Sequence, residues 1–369
     1  MVLRTWAEPA IVRILDPEKS SAINAANQGR TSVNFAGSHI LSVQQFEKED
    51  VERIFSVADQ MAPYAHRRRV TNVLDGAILG SMFFEPSTRT RVSFGSAFNL
   101  LGGQVRETTG FENSAIAKGE SLYDTARVLS GYSDVIAMRH PQEGSVAEFA
   151  AASRVPVING GDGSNEHPSQ ALLDLYTIRS EIGASGRQLD QLRIAMVGDL
   201  RHGRTVHSLC KLLCQFSGVQ VVLVAPEALR MPPEIVETLR NTGHNVLESD
   251  QLEESISAVD IVYSTRLQEE RFSTREEADQ YRGRFCLNQR IYTRHCEPNT
   301  VIMHPLPRDS RASGRELDDD LNDNPNLAIF RQADNGLLLR MALFALILDV
   351  VEQVDTHARD VNWYTDGRF

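Results

Sequence analysis

The order of apolar and polar positions divides the chain into a polar lead-in and two alternating series. Residues 16–37 (DPEKSSAINAANQGRTSVNFAG) follow neither a helical nor a strand period, so residues 1–37 read as an N-terminal extension ahead of the folded body. Behind Ser42, a candidate N-cap, Phe46, Val51, Ile54, Phe55 and Val57 recur at near-helical spacing and predict the first helix. Apolar runs then alternate with helical patterns: GAILGSMFF, a helix from about Ser87 to Leu101, QVRETTG, a helix around Glu120 to Tyr132, DVIAMRH, a helix from Ser145, VPVING, and after His167 a helix to about Ile182. The runs are apolar throughout, as in parallel strands covered on both faces.

Beyond the loop GASGRQLDQ the alternation resumes with LRIAMVGDL, a helix from Thr205 to Phe216, VQVVLVAP, a helix from Pro233 to Asn241, VDIVYST and TVIMHPLP. The predicted fold class is α/β: two three-layer α/β/α domains with parallel sheets, the first over residues 38–183 and the second over residues 184–332. A final helix, Asn335 to Val354, lies in the C-terminal segment 333–369 and is apolar enough to return and complete the first domain.

A chain of 369 residues suits about two domains, and two domains leave a cleft. A net charge of −11 argues against coating nucleic acid or an anionic membrane, but permits a local basic pocket. The most apolar late stretch, Met341 to Val351, is about half a membrane span and carries Asp349. The N-terminal MVLRTWAEPAIVRIL is broken by Arg4, Glu8 and Arg13 and lacks a secretory pattern, which predicts a cytoplasmic protein. Cys210, Cys214, Cys286 and Cys296 form no disulfide or metal framework, and Cys210 and Cys214 are expected to be small buried apolar residues. No metal and no cofactor is expected.

In a parallel sheet the loops at the carboxyl ends of strands line the ligand crevice, and the unusual residues fall in those loops. SMFFEPSTRTR places Ser87, Thr88, Arg89, Thr90 and Arg91 at a helix start, where N–H, hydroxyl and guanidinium donors can hold a phosphate together. A capped helix with solvated arginines fits the same residues equally well. DVIAMRHP ends in Arg139-His140, and VPVINGGDGSNEHPSQ carries His167 and Gln170; a structural histidine and a surface arginine pair fit these residues singly, but histidine and arginine facing one crevice could polarise a carbonyl oxygen. MVGDLRHGRTVHSL offers Asp199 and Arg204 but neither G-x-G-x-x-G nor a Walker pattern, which disfavours nucleotide binding. YSTRLQEERF and VIMHPLPR add Arg266, Gln268, Arg271 and the His304–Arg308 loop. Without an evident Ser or Cys nucleophile and base, direct transfer between two bound anions is favoured.

Taken in order, FFEPSTRTR, KGES, MRHP, GDGSNEHPSQALLDL, GDLRHGRTVHSL, TRLQEER and HPLPR resemble the catalytic chain of the aspartate carbamoyltransferase family over about residues 38–355. The resemblance implies the aspartate/ornithine carbamoyltransferase fold, with a carbamoyl-phosphate domain (38–183) and an aspartate domain (184–332). It implies transfer of a carbamoyl group from carbamoyl phosphate to the α-amino group of L-aspartate, in pyrimidine synthesis. Ser87, Thr88, Arg89 and Thr90, with Arg139, would hold the phosphate; Arg139, Thr90 and His167 the carbamoyl oxygen; Gln170 and the Pro305 and Leu306 carbonyls the carbamoyl NH2. Arg204 would bind the α-carboxylate of aspartate, and Arg266 with Gln268 its β-carboxylate. Ser114 and Lys118 would reach into the site of a neighbouring subunit, making a homotrimer with shared active sites, and regulatory chains are a further possible partner. Glu85 would bridge to Arg204 and Arg271 on domain closure. The alternatives are an ornithine carbamoyltransferase, which resembles HCLP where this chain has HPLP, and a silent scaffold relative.

Overall fold

The computed structural model describes residues 34–109, 119–311 and 314–363. The first unit runs α1 (Lys48–Ala65), β1 (Arg69–Thr71), β2 (Ile78–Phe83), α2 (Thr88–Leu100), β3 (Gln104–Thr109), α3 (Leu122–Leu129), β4 (Val135–His140), α4 (Ser145–Ala152), β5 (Val157–Asp162) and α5 (Pro168–Gly183). The second runs β6 (Arg193–Gly198), α6 (Arg204–Leu213), β7 (Gln220–Val224), α7 (Pro233–Asn241), β8 (Asn245–Ser249), α8 (Leu252–Ser255), β9 (Ile261–Thr265), α9 (Arg275–Asp279), α10 (Gln289–His295) and β10 (Val301–Met303). Two elements follow, α11 (Ile329–Ile347) and β11 (Ala358–Asp360).

Each unit holds one parallel sheet. The first has the order β3-β2-β4-β5 and the second β10-β9-β6-β7-β8. Strand order reverses between β2 and β4 in one sheet and between β6 and β9 in the other. At such switch points the loops leaving the carboxyl ends diverge and open a crevice. The loops after these four strands begin at Phe84, Pro141, Asp199 and Arg266.

Helix α11 joins the two units because its apolar positions serve both. Ile329 packs in the core of the second sheet, whereas Leu339, Leu343 and Phe344 are fully buried in the core that contains the first. Phe344 meets the rings of Phe94 and Phe98 at 6.0 and 4.9 Å, fixing α2 from behind. Phe344→Ala would remove those contacts at about 3–5 kcal/mol.

Several features depart from the sequence reading. Ser42 does not start the long helix: its side chain caps a 3-10 turn, Val43–Gln45, and α1 begins at Lys48, where Asp50 accepts from the Glu47 N–H. The last helix begins at Ile329 and ends at Ile347, not Asn335 to Val354. Its first turn is buried through Ile329 and Gln332, a face hidden in the sequence by Arg331, Asp334 and Asn335, and Asp349 turns the chain away at φ 55°. Several elements were not foreseen, among them β1 and the short helices α8, α9 and α10. β11 pairs antiparallel with β1. β8 (NVLES) is an edge strand whose mostly polar run gave no buried-strand signal.

Candidate active site

The two switch-point crevices open on one cleft of about 740 Å3. Its lining includes Ser87, Thr88, Arg89 and Thr90 from the start of α2, Arg139, His167 and Gln170 from the first unit, and Arg204, Arg266, Gln268, Pro305 and Leu306 from the second. Residues up to 219 positions apart in sequence thus face one space.

At α2, Ser87 holds the N-cap position but its side chain makes no capping bond. The first-turn N–H groups of a helix have no partner within it, so this end presents unpaired donors beside the hydroxyls of Ser87, Thr88 and Thr90. Arg91 belongs elsewhere: its Nε lies 4.0 Å from Glu107 on β3. Arg139 leaves β4 half-buried and pairs through Nε with Glu85. Burial first, and Arg204 second, pull its pKa down to about 10. The Glu85 carboxylate also takes Arg204 at 3.3 Å, and so links the two units. Arg271, the other expected partner of Glu85, is exposed at the end of a 3-10 turn.

His167 is the N-cap of α5 and 3% exposed. Burial, then Arg139 and Arg204, hold its pKa well below the ordinary value, so the ring is neutral. Its Nε2 is buried without a hydrogen-bond partner and the residue lines the cleft, while Nδ1 lies 3.5 Å from the Ser169 hydroxyl. A ring nitrogen without a protein partner at a cleft wall is free to bond a ligand or water.

Arg204 opens α6 and lies over Gly161, where a Cβ would come within 3.3 Å of the guanidinium carbon. Gly161 has φ +120°, a conformation that side chains disfavour, so the GGDG run supplies both the bend and the room. Arg204 Nη1 donates to the Gly163 carbonyl. In the loop after β9, Arg266 donates to the Leu267 carbonyl at 3.0 Å and to Gln268 Oε1 at 3.3 Å, and the Gln268 N–H is held by Asp199 at 3.0 Å. Asp199, a strand-end carboxylate in the sequence, therefore ties the β6 and β9 loops together.

The Pro305-Leu306 turn is fixed by His304, whose Nδ1 accepts the Leu306 N–H at 2.8 Å and whose Nε2 lies 2.8 Å from Glu316. Leu306 is held at φ 56°. Ser114 and Lys118 lie outside the described residues. Cys210 is fully buried with Sγ 3.4 Å from Met196 Sδ, and Cys214 donates to the Cys210 carbonyl.

Sequence reasoning missed a buried network behind the cleft. Asp174, Tyr263, Gln332 and Arg340 are all buried, and the first three are hydrogen-bonded across three elements, α5, β9 and α11. Only the i, i+4 spacing of Gln170 and Asp174 could have signalled part of it.

Two family models match the chain: "Aspartate/ornithine carbamoyltransferase, carbamoyl-P binding domain" over residues 38–180, and the Asp/Orn binding domain of the same enzymes over residues 190–347. The aspartate carbamoyltransferase catalytic subunit of Saccharophagus degradans is 75% identical over 337 residues, covering 91% of this chain and all of that one. That of Dichelobacter nodosus is 51% identical, covering 88% and 93%. Among solved structures, Trypanosoma cruzi aspartate transcarbamoylase in complex with N-(phosphonacetyl)-L-aspartic acid is similar at TM-score 0.78 and 37% identity, covering 86% of this chain and 98% of that one.

Proposed function

The chain belongs to the aspartate/ornithine carbamoyltransferase family, and from that membership we propose that it is an aspartate carbamoyltransferase. It transfers the carbamoyl group from carbamoyl phosphate to the α-amino group of L-aspartate, giving N-carbamoyl-L-aspartate and phosphate, the pyrimidine-forming use of this chemistry. The observation that carries the reading is the convergence on one cleft of an uncapped helix start with Arg139 and neutral His167, and opposite them Arg204, Arg266 and Gln268.

In this reading the phosphate sits on Ser87, Thr88, Arg89, Thr90 and Arg139. The carbamoyl oxygen takes Thr90, Arg139 and the Nε2–H of His167, with Nδ1 accepting from Ser169. The amine nitrogen of aspartate attacks the carbamoyl carbon, a C–N bond forms, and the C–O bond to phosphate breaks. The electron pair leaves with the phosphate, which takes the amine proton, so no protein base is required. A neutral histidine donates to the developing oxyanion without being a strong acid, and each such donor is worth about 3 kcal/mol. Holding two anions in line supplies a further ~7–11 kcal/mol of barrier reduction.

Arg204 takes the α-carboxylate and Arg266 with Gln268 the β-carboxylate. Ornithine would place an ammonium against these cations, which disfavours the ornithine alternative. The working assembly is a homotrimer in the cytoplasm in which Ser114 and Lys118 complete a neighbour's site. Exposed Val92, Tyr123, Val128 and Tyr132, on or next to α2 and α3, support a face of this kind. Product formation from carbamoyl phosphate with aspartate or ornithine, run beside mass measurement in solution, tests the reading; a faster rate with ornithine, or activity confined to a monomer, overturns the corresponding part.

A further inference from the structure

Behind the carbamoyl end of the cleft, one buried carboxylate sets the polarity of two amides. Asp174 Oδ1 accepts from Gln170 Nε2 at 2.8 Å and from Gln332 Nε2 at 2.6 Å, while Oδ2 accepts from the Tyr263 hydroxyl at 2.7 Å. A carboxylate oxygen without a proton can only accept, so both glutamines must turn NH2 toward it and their oxygens away. For Gln332 the far side agrees: its Oε1 accepts the His304 N–H at 2.9 Å. His304 in turn fixes the Leu306 N–H. For Gln170, whose side chain lines the cleft, the freed oxygen is an acceptor for a ligand.

We propose that Asp174 is a positioning residue that makes the acyl end of the cleft select an NH2 group over a methyl group. It fixes Gln170 Oε1 directly, and the Pro305-Leu306 turn through Gln332 and His304. This deepens the carbamoyltransferase reading and rests on it. Nothing in the network requires the charge. Burial pushes the Asp174 pKa up to about 7, against Tyr263, Gln332, Gln170 and Arg340, yet a proton on Oδ2 would face the Tyr263 oxygen and leave Oδ1 accepting as before. The amide introduced by Asp174→Asn can imitate that form, with its carbonyl oxygen toward the glutamines and its NH2 toward Tyr263.

The test compares the affinity for carbamoyl phosphate with that for acetyl phosphate, in which a methyl replaces the NH2, by competition at a pH about one unit above this value. Inorganic phosphate affinity and melting temperature are recorded for each variant. In Asp174→Leu the carbamoyl-to-acetyl affinity ratio is expected to fall about tenfold or more, with phosphate affinity within about threefold of wild type. In Asp174→Asn it is expected to stay within about threefold of wild type. Should Asp174→Leu not fold, Gln332→Leu carries the test: the Asp174–Gln170 bond remains, the His304 anchor is lost, and the ratio is expected to fall several-fold. An unchanged ratio in the folded Leu variant, or equal losses for carbamoyl, acetyl and inorganic phosphate, overturns the inference. Failure of the wild type to bind carbamoyl phosphate overturns the parent reading instead.

Discussion

The two walls of the cleft hold most of their hydrogen-bond donors in different states. On the first, the α2 start has no side-chain cap and His167 Nε2 has no partner, so donors stand ready for a ligand. On the second, Arg204 is already bonded to Gly163 and Glu85, and Arg266 to Leu267 and Gln268. An anion arriving at the first wall meets free donors at the helix start and at His167 and competes with Glu85 only for Arg139, whereas one arriving at the second must compete with internal acceptors at both arginines. Ready donors stabilise charge that develops in the transition state, and engaged donors exchange partners on binding. Glu85, bonded to both Arg139 and Arg204, joins the two walls.

The largest test of this contrast lies on the first wall. Arg139→Ala and His167→Ala are each expected to lower kcat by roughly 100- to 1000-fold while the aspartate KM stays within a few-fold. Steady-state kinetics would refute the division if both constants moved equally. On the second wall, Arg266→Ala should raise the aspartate KM by roughly 10- to 100-fold with a smaller change in kcat, the loss of charge-assisted bonds to a carboxylate. A kcat loss matching that of His167→Ala would erase the distinction.

Glu85→Gln should lower kcat about tenfold and raise the aspartate KM, because a neutral amide links the guanidinium groups more weakly. Phosphate affinity by calorimetry should not fall, since Glu85 competes with the anion for Arg139. Weakened phosphate binding would show that Glu85 holds Arg139 in place instead.

The smallest expected effect is on stability against acid. Burial holds the pKa of His167, His207 and His304 below the ordinary 6.5. As pH falls through that value the unfolded chain binds protons that the folded chain refuses, so unfolding free energy drops. Asp174 acts oppositely: between its ordinary 3.8 and about 7 the folded state keeps a proton the unfolded state loses. Urea unfolding on either side of pH 6.5 should therefore show a loss of stability that becomes steeper in Asp174→Asn; an identical slope would remove Asp174 from the balance.

Local chemistry made the strands, most helices and the donor loops legible. GAILGSMFF and VQVVLVAP read as buried strands because covered parallel strands are apolar on both faces, and Ser87–Thr90 stood out as donors at a helix start. What stayed illegible was polar and buried together. The partnership of Asp174, Tyr263 and Gln332, and the burial of Arg340 beside them, carry no periodic signal, since a polar side chain enters a core only when partners, mostly distant in sequence, satisfy it.

The sequence by itself determined two α/β series, their apolar strands and the residue types able to hold two anions, because backbone propensity and hydrophobic periodicity are local. Tertiary structure alone decided that α11 starts at Ile329 and is shared by both cores. It alone decided that Glu85 spans Arg139 and Arg204, and that one carboxylate orients two glutamines from different helices. Such choices depend on which burial and hydrogen-bond partners meet after the chain has folded, and, the i, i+4 bond from Gln170 to Asp174 aside, contacts 54 to 158 residues apart leave no pattern in a window of sequence.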